Sequence, residues 1–281
     1  MKTFKFLSGC LVLLAFSLQL SAQTTAPATD KPATPPPPTT YYFVDYMKAT
    51  PGHAGDYVRL EKTVWKELHK ARIKKGGSET GWWLLEVRMP SGASVEYDYV
   101  TVTAVSGWSG IDSLYNSWGG VFAGMTKEQA KHVDSTEMFR TLVRTEISSL
   151  MDLIVKNPSD ANAPPPKYWF VNFMDIPSGK WDDYVKMEKE IAKPVHQEQI
   201  NNGHRAGWGL YSIEFPYGAD MKYEAATVDY FNKWSDVVAD DFAAMFKKVH
   251  PTKKMEDVGK TIEAARTLVR NEVWVLLDYA Q

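Results

Sequence analysis

Runs in which apolar and polar side chains alternate are separated along this chain by runs in which apolar residues recur every third or fourth position. The first alternating set, Tyr42 to Met47, is aromatic and β-branched and predicts a strand. Pro51-Gly52 turns the chain. From His53 onward, Tyr57, Leu60, Val64, Leu68 and Ala71 repeat at helical spacing until Gly76-Gly77. Trp82 to Met89 and Val95 to Val105 read as two further strands around the turn at Pro90-Ser91-Gly92. A helical region is expected from Gly110 to Phe139, with breaks near Gly119-Gly120 and Gly124, before a last strand from Val143 to Ile154.

The same pattern then starts again. The heptapeptide RTLVRTE at Arg140 to Glu146 returns as RTLVRNE at Arg266 to Glu272, 126 residues on (266 less 140). That offset also pairs Gly81-Trp82 with Gly207-Trp208, Tyr97 with Tyr223 and Trp108 with Trp234. Upstream it lengthens by one residue, and His69 falls on His196. Two copies of one β-α-β-β-α-β unit are therefore expected, residues 41–156 and 168–281, joined by a Pro-rich linker at 157–167. Pro194 lies in the first helix of the second copy and is expected to kink it just before His196.

The strands carry apolar bulk on both faces. Trp82 and Leu84 point one way while Trp83, Leu85, Val87 and Met89 point the other; Val273, Val275 and Leu277 likewise oppose Trp274 and Leu276. Helices can cover only one face, and a bare apolar second face is one that soluble proteins avoid. The predicted fold is therefore α+β, two tandem ferredoxin-like units packed sheet to sheet. This element order and pairing resembles the dimeric α/β-barrel superfamily, in a version where one chain supplies both halves. The resemblance spans roughly residues 41–281. It implies company that includes antibiotic-biosynthesis-type and haem-degrading monooxygenases and chlorite-dismutase-like proteins. No residue motif selects a branch, so no activity is carried over.

Residues 1–22 fall outside this scheme. Lys2 and Lys5 precede an apolar run from Leu11 to Leu20 and a small-residue exit at Ser21-Ala22, the pattern of a secretory leader cleaved after Ala22. Leu7-Ser8-Gly9-Cys10 has lipobox composition, but it precedes the apolar run where a lipobox should follow it. An exported protein, periplasmic or extracellular, is expected, and without Cys10 its mature chain has no cysteine to form a disulfide. Residues 23–40, with four consecutive prolines, read as an extended tether. A net charge of −2 without a basic cluster argues against nucleic acid or an anionic membrane as partner. With both halves on one chain, a monomeric pseudo-dimer is expected.

Candidate chemistry is sparse. His69 and His196 occupy equivalent places on the first helices; they read either as boundary histidines or as ligands to a metal or haem, with no HExxH or CxxC beside them. Arg144 with Glu146, and Arg270 with Glu272, share strand faces and read as a crosslink between sheets or as the polar floor of a pocket. Asp45 and Asn172 are equivalent on the first strands, and the resemblance implies a role for Asn172, because haem-degrading members use an asparagine there. Tyr97, Tyr223, Trp82 and Trp208 are candidates to line a cavity between the sheets. Phosphate loops, nucleophile elbows and dinucleotide fingerprints are absent. The leading expectation is a small, largely apolar ligand in an aromatic-lined pocket between the repeats, with no cofactor. A monooxygenase or haem-handling enzyme and a non-catalytic interaction module with a filled core are the alternatives.

Overall fold

The computed structural model describes residues 38–156, 163–238 and 242–281. The expected leader, nearly all of the tether and residues 157–162 of the linker lie outside the described residues.

Eight strands form one closed antiparallel barrel in the order β1-β3-β2-β8-β5-β7-β6-β4. They are β1 (Thr40–Ala49), β2 (Glu79–Met89), β3 (Tyr99–Ser106), β4 (Arg140–Val155), β5 (Tyr168–Asp175), β6 (Gly207–Phe215), β7 (Ala225–Phe231) and β8 (Thr267–Ala280). Within each half the order is fourth, first, third, second strand. Two hydrogen-bonded seams join the halves: β2 to β8, with Leu85 opposite Leu276, and β6 to β4, with Tyr211 opposite Leu150. The halves thus meet edge to edge in one continuous closed sheet, and not as two separate sheets stacked on each other. Closure leaves no free strand edge to attract another chain.

The alternation along β2 places its two faces as expected. Trp82 and Leu84 pack outward with Met47, Tyr57 and Tyr99, while Leu85 and Val87 join the interior with Val44, Tyr46, Val171, Phe173 and Trp274. The helices lie over the outer face. In the first half they are α1 (Ala54–Leu60), a π-helical turn (Glu61–Trp65), α2 (Lys66–Lys74), α3 (Ser109–Ala123), α4 (Lys127–Asp134) and α5 (Thr136–Phe139). The second half has α6 (Trp181–Met187), a π-helical turn (Glu188–Ala192), α7 (Lys193–Asn201), a 3₁₀ turn (Trp234–Val238), α8 (Phe242–Val249) and α9 (Met255–Ala265).

Two local expectations are corrected. Helix α3 runs unbroken through Gly119-Gly120 and ends at Gly124, where the backbone still has αR angles. Pro194 follows a π-helical turn at the start of α7, in a helix that runs on from α6 with αR angles throughout its junctions. The irregularity before it is a π turn that recurs in the first copy at Glu61–Trp65, where no proline follows. The turn therefore belongs to the repeated unit and not to the proline.

Candidate functional site

Seen from within the barrel, the duplicated Arg–Glu motif is two networks that cross between the halves. Strand period two sends Glu146 inward from β4 and Glu272 inward from β8, where they are 1% and 2% exposed. Glu146 accepts from the Tyr46 hydroxyl at 2.9 Å, from Arg144 Nε at 2.8 Å and from Tyr223 of the other half. Glu272 accepts from Tyr97 of the first half at 2.6 Å and from the Trp274 indole at 2.8 Å, with Arg270 Nε at 3.0 Å. Arg270 Nη2 in turn donates to the Tyr97 hydroxyl at 2.9 Å, and Arg144 Nη2 to Tyr223 at 3.3 Å. Burial, reinforced by the neighbouring carboxylates, pushes the Tyr97 and Tyr223 phenols well above their ordinary range, so both stay protonated and donate. Tyr97 and Tyr223 sit in the loops before β3 and β7 and not on those strands. Every oxygen of both carboxylates has a donor, as a buried charge requires.

Beside Glu146 the barrel is hollow. A cavity of about 220 Å³ is walled by Val44, Trp83, Val171, Phe173, Val228 and Trp274. Tyr42, Ser148 and Tyr211 also border it, as do Pro165, Pro166 and Gln281. Comparing the repeats explains the space. Gly209 stands where the first half has Trp83, Ala226 where it has Val100, and Ser148 where the second half has Trp274. A Cβ on Gly209 would come within 2.7 Å of the Tyr211 ring, so glycine lets that ring lie flat along the wall. There its hydroxyl pairs with that of Tyr230 at 2.7 Å.

The remaining candidates lie outside the barrel. Trp82 and Trp208 do not line the interior; both are buried under the helices, because they share the outward register of β2 and β6. His69 stacks on Trp82 at 5.1 Å and His196 on Trp208 at 5.3 Å. Their polar partners are opposite in charge. His69 Nδ1 meets Glu79 at 2.6 Å, whereas the residue equivalent to Glu79 is Arg205, whose Nη1 lies 2.7 Å from His196 Nδ1. Asp45 and Asn172 also face the helices. Asp45 accepts from Thr145, and Asn172 Nδ2 donates to Asp229 at 3.2 Å.

Under the second half's helices is a chamber of about 330 Å³ bordered by Asn172, Glu188, His196, Asp229 and Arg266, with Met187, Phe242 and Phe246 among its apolar walls. Burial pushes Glu188 up to about 7 against the pull of Arg266. Burial and the Arg205 guanidinium push His196 down to about 4. Its ring is neutral at neutral pH, with Nδ1 2.7 Å from Arg205 Nη1 and 3.1 Å from Gln199 Oε1. In the first half Trp65 and Trp118 pack against the corresponding helices. Sequence reading reached His196 and Asn172 but missed Glu188, Arg205, Asp229 and Arg266, which come from separate elements.

Among the described residues, no group of three or more His, Cys, Asp or Glu is placed to hold a metal ion. Haem also fits poorly. A ligating histidine offers a lone pair while its other nitrogen donates to an acceptor. His196 has the Arg205 guanidinium against its Nδ1, an unfavourable neighbour for a ring that ligates a cation, and His69, whose Nδ1 does face a carboxylate, has its ring against Trp82 and Trp118 and lines neither space.

No family model and no curated protein matches the chain. Solved structures do. A candidate monooxygenase from Fusobacterium nucleatum is 7% identical with a TM-score of 0.54, over 87% of this chain and 95% of that one. A haem-binding protein from Thermus thermophilus is 11% identical with a TM-score of 0.46, over 86% and 95%. A dye-decolorizing peroxidase from Bacteroides thetaiotaomicron is 9% identical with a TM-score of 0.47, over 86% and 93%. At these identities the likeness concerns the fold alone.

Proposed function

We propose that this chain is a monomeric pseudo-dimer, two ferredoxin-like units in one closed barrel, that binds a small, largely apolar molecule inside it. The observation that carries the reading is the interior cavity, which a filled interaction module would lack. An apolar cavity of about 150 Å³ holds benzene, and drug-sized ligands occupy about 300–1,000 Å³, so this space suits one or two fused rings. The Arg–Glu networks act here as crosslinks between the halves, because each carboxylate is engaged by donors from both of them. The expected result is that naphthalene raises the melting temperature of the full-length protein and changes its tryptophan fluorescence. Ala226→Phe, which fills the space from β7, should weaken that binding more than tenfold at little cost in stability. An unchanged melting temperature with naphthalene, or equal binding by the variant, counts against the cavity.

The monooxygenase or haem-handling alternative rests on the chamber of the second half, where a carboxyl with its pKa near 7 faces apolar walls. Its haem branch makes a distinct prediction. With the Arg205 guanidinium against His196 Nδ1, micromolar haem is expected to show the same Soret band with and without the protein. A shifted band that disappears in His196→Ala or His69→Ala would favour the enzyme reading instead.

A further inference from the structure

The cavity has a polar corner whose groups are unused. Tyr42 on β1 and Ser148 on β4 are cross-strand partners, so their side chains leave the sheet on the same side. Both border the cavity, and Ser148 is only 5% exposed. Neither hydroxyl has a hydrogen-bond partner among the described residues, although the Tyr211 and Tyr230 hydroxyls nearby bond to each other and Glu146 already accepts from three donors. The Tyr42 ring meets Tyr211 edge-on at 5.5 Å, which holds it in place. Both oxygens keep accessible surface, so each is open to a hydrogen bond with a molecule in the cavity.

Resting on the barrel-binding reading above, we infer that Tyr42 and Ser148 anchor the oxygen of a neutral, flat, one- or two-ring aromatic compound, a phenol or an aryl ketone. The size of the space sets the ring count, and the aromatic walls suit a flat face. The Glu146 carboxylate on the same wall disfavours an anion. Each hydroxyl can donate or accept, so either oxygen function is served. Burial, with Tyr211 beside it, pushes the Tyr42 phenol far above its ordinary value and keeps its proton available.

The test compares 1-naphthol with naphthalene on the full-length protein by fluorescence titration. Two added hydrogen bonds should make naphthol roughly tenfold tighter. In Tyr42→Phe/Ser148→Ala, which removes only two oxygens, that preference should vanish while naphthalene affinity stays within about threefold. Naphthalene binding also reports that the variant is folded. If naphthalene binds but naphthol binds no better, or if the preference survives in the double variant, the anchor is wrong and the cavity reading stands. If neither compound binds the wild-type protein, both fall together.

Discussion

Arg144→Ala is expected to lower stability by about 3 kcal/mol, far beyond the ~0–1 kcal/mol of a surface ion pair. Glu146 is almost fully buried, and Arg144 is its only cationic partner among the described residues. The guanidinium also lies 3.9 Å over the Tyr46 ring and donates to Glu96 at 2.7 Å, so packing and charge are lost together. Deleting it leaves a buried carboxylate held only by two phenols. Glu146→Gln in the same chain removes that charge while keeping an acceptor for a tyrosine. The double variant should therefore recover part of the loss, although it lacks more of the native network. Urea unfolding midpoints of the two variants check this; a double variant less stable than Arg144→Ala alone would show that the charge is not what matters. Arg270→Ala should cost less than Arg144→Ala. Its side chain is 33% exposed against 23%, and its Nε stands 3.0 Å from Glu272, against 2.8 Å from Arg144 Nε to Glu146.

The crossing of these networks was half legible in the sequence. Alternation put Arg144 with Glu146, and Arg270 with Glu272, on shared faces, and the repeat showed that both pairs hold one structural position. The donors from the opposite half could not be read, because Tyr97 and Tyr223 reach the carboxylates from loops whose course no periodicity describes. Period two separates the faces of β2 without saying which one the helices take. Trp82 and Trp208 are candidates for the cavity wall by sequence, and both lie outward in the core beneath the helices. The helix layers posed another difficulty. His69 and His196 look equivalent along the chain, yet Glu79 comes from β2 and Arg205 from the loop before β6, and that exchange puts a carboxylate against one ring and a guanidinium against the other. The hollow had a signal that went unused: Gly209 against Trp83, Ala226 against Val100 and Ser148 against Trp274 are small residues facing large ones across the repeat, and they mark where two similar halves fail to fill the centre equally.

The π turns give the protein a pH dependence of unusual sign. Glu61 and Glu188 begin the two turns, 4% and 3% exposed, and burial pushes them up to about 8 and about 7. Arg140, Asp45 and Tyr57 face Glu61; Arg266, Asp229 and Tyr184 stand around Glu188. In the unfolded chain each carboxyl titrates near ~4.3. Between that value and the folded one, the folded state keeps a proton that the unfolded state has released. The stability this supplies is complete below about pH 4 and is lost as pH rises through about 7 for Glu188 and about 8 for Glu61. His196 acts the other way. Its folded value near 4 lies below the unfolded value of about 6.5, so its contribution is present above that point and lost in acid. Above pH 6.5 the carboxyls act without that opposition. At about 1.4 kcal/mol per pH unit per proton, stability should fall by on the order of 2 kcal/mol between pH 6.5 and 8. Glu61→Gln/Glu188→Gln should remove the slope, since glutamine holds the same space without a proton to lose. Urea midpoints at the two pH values in both proteins decide it: a flat wild-type profile, or a variant that still loses stability, would mean that these carboxyls are already ionised at pH 6.5.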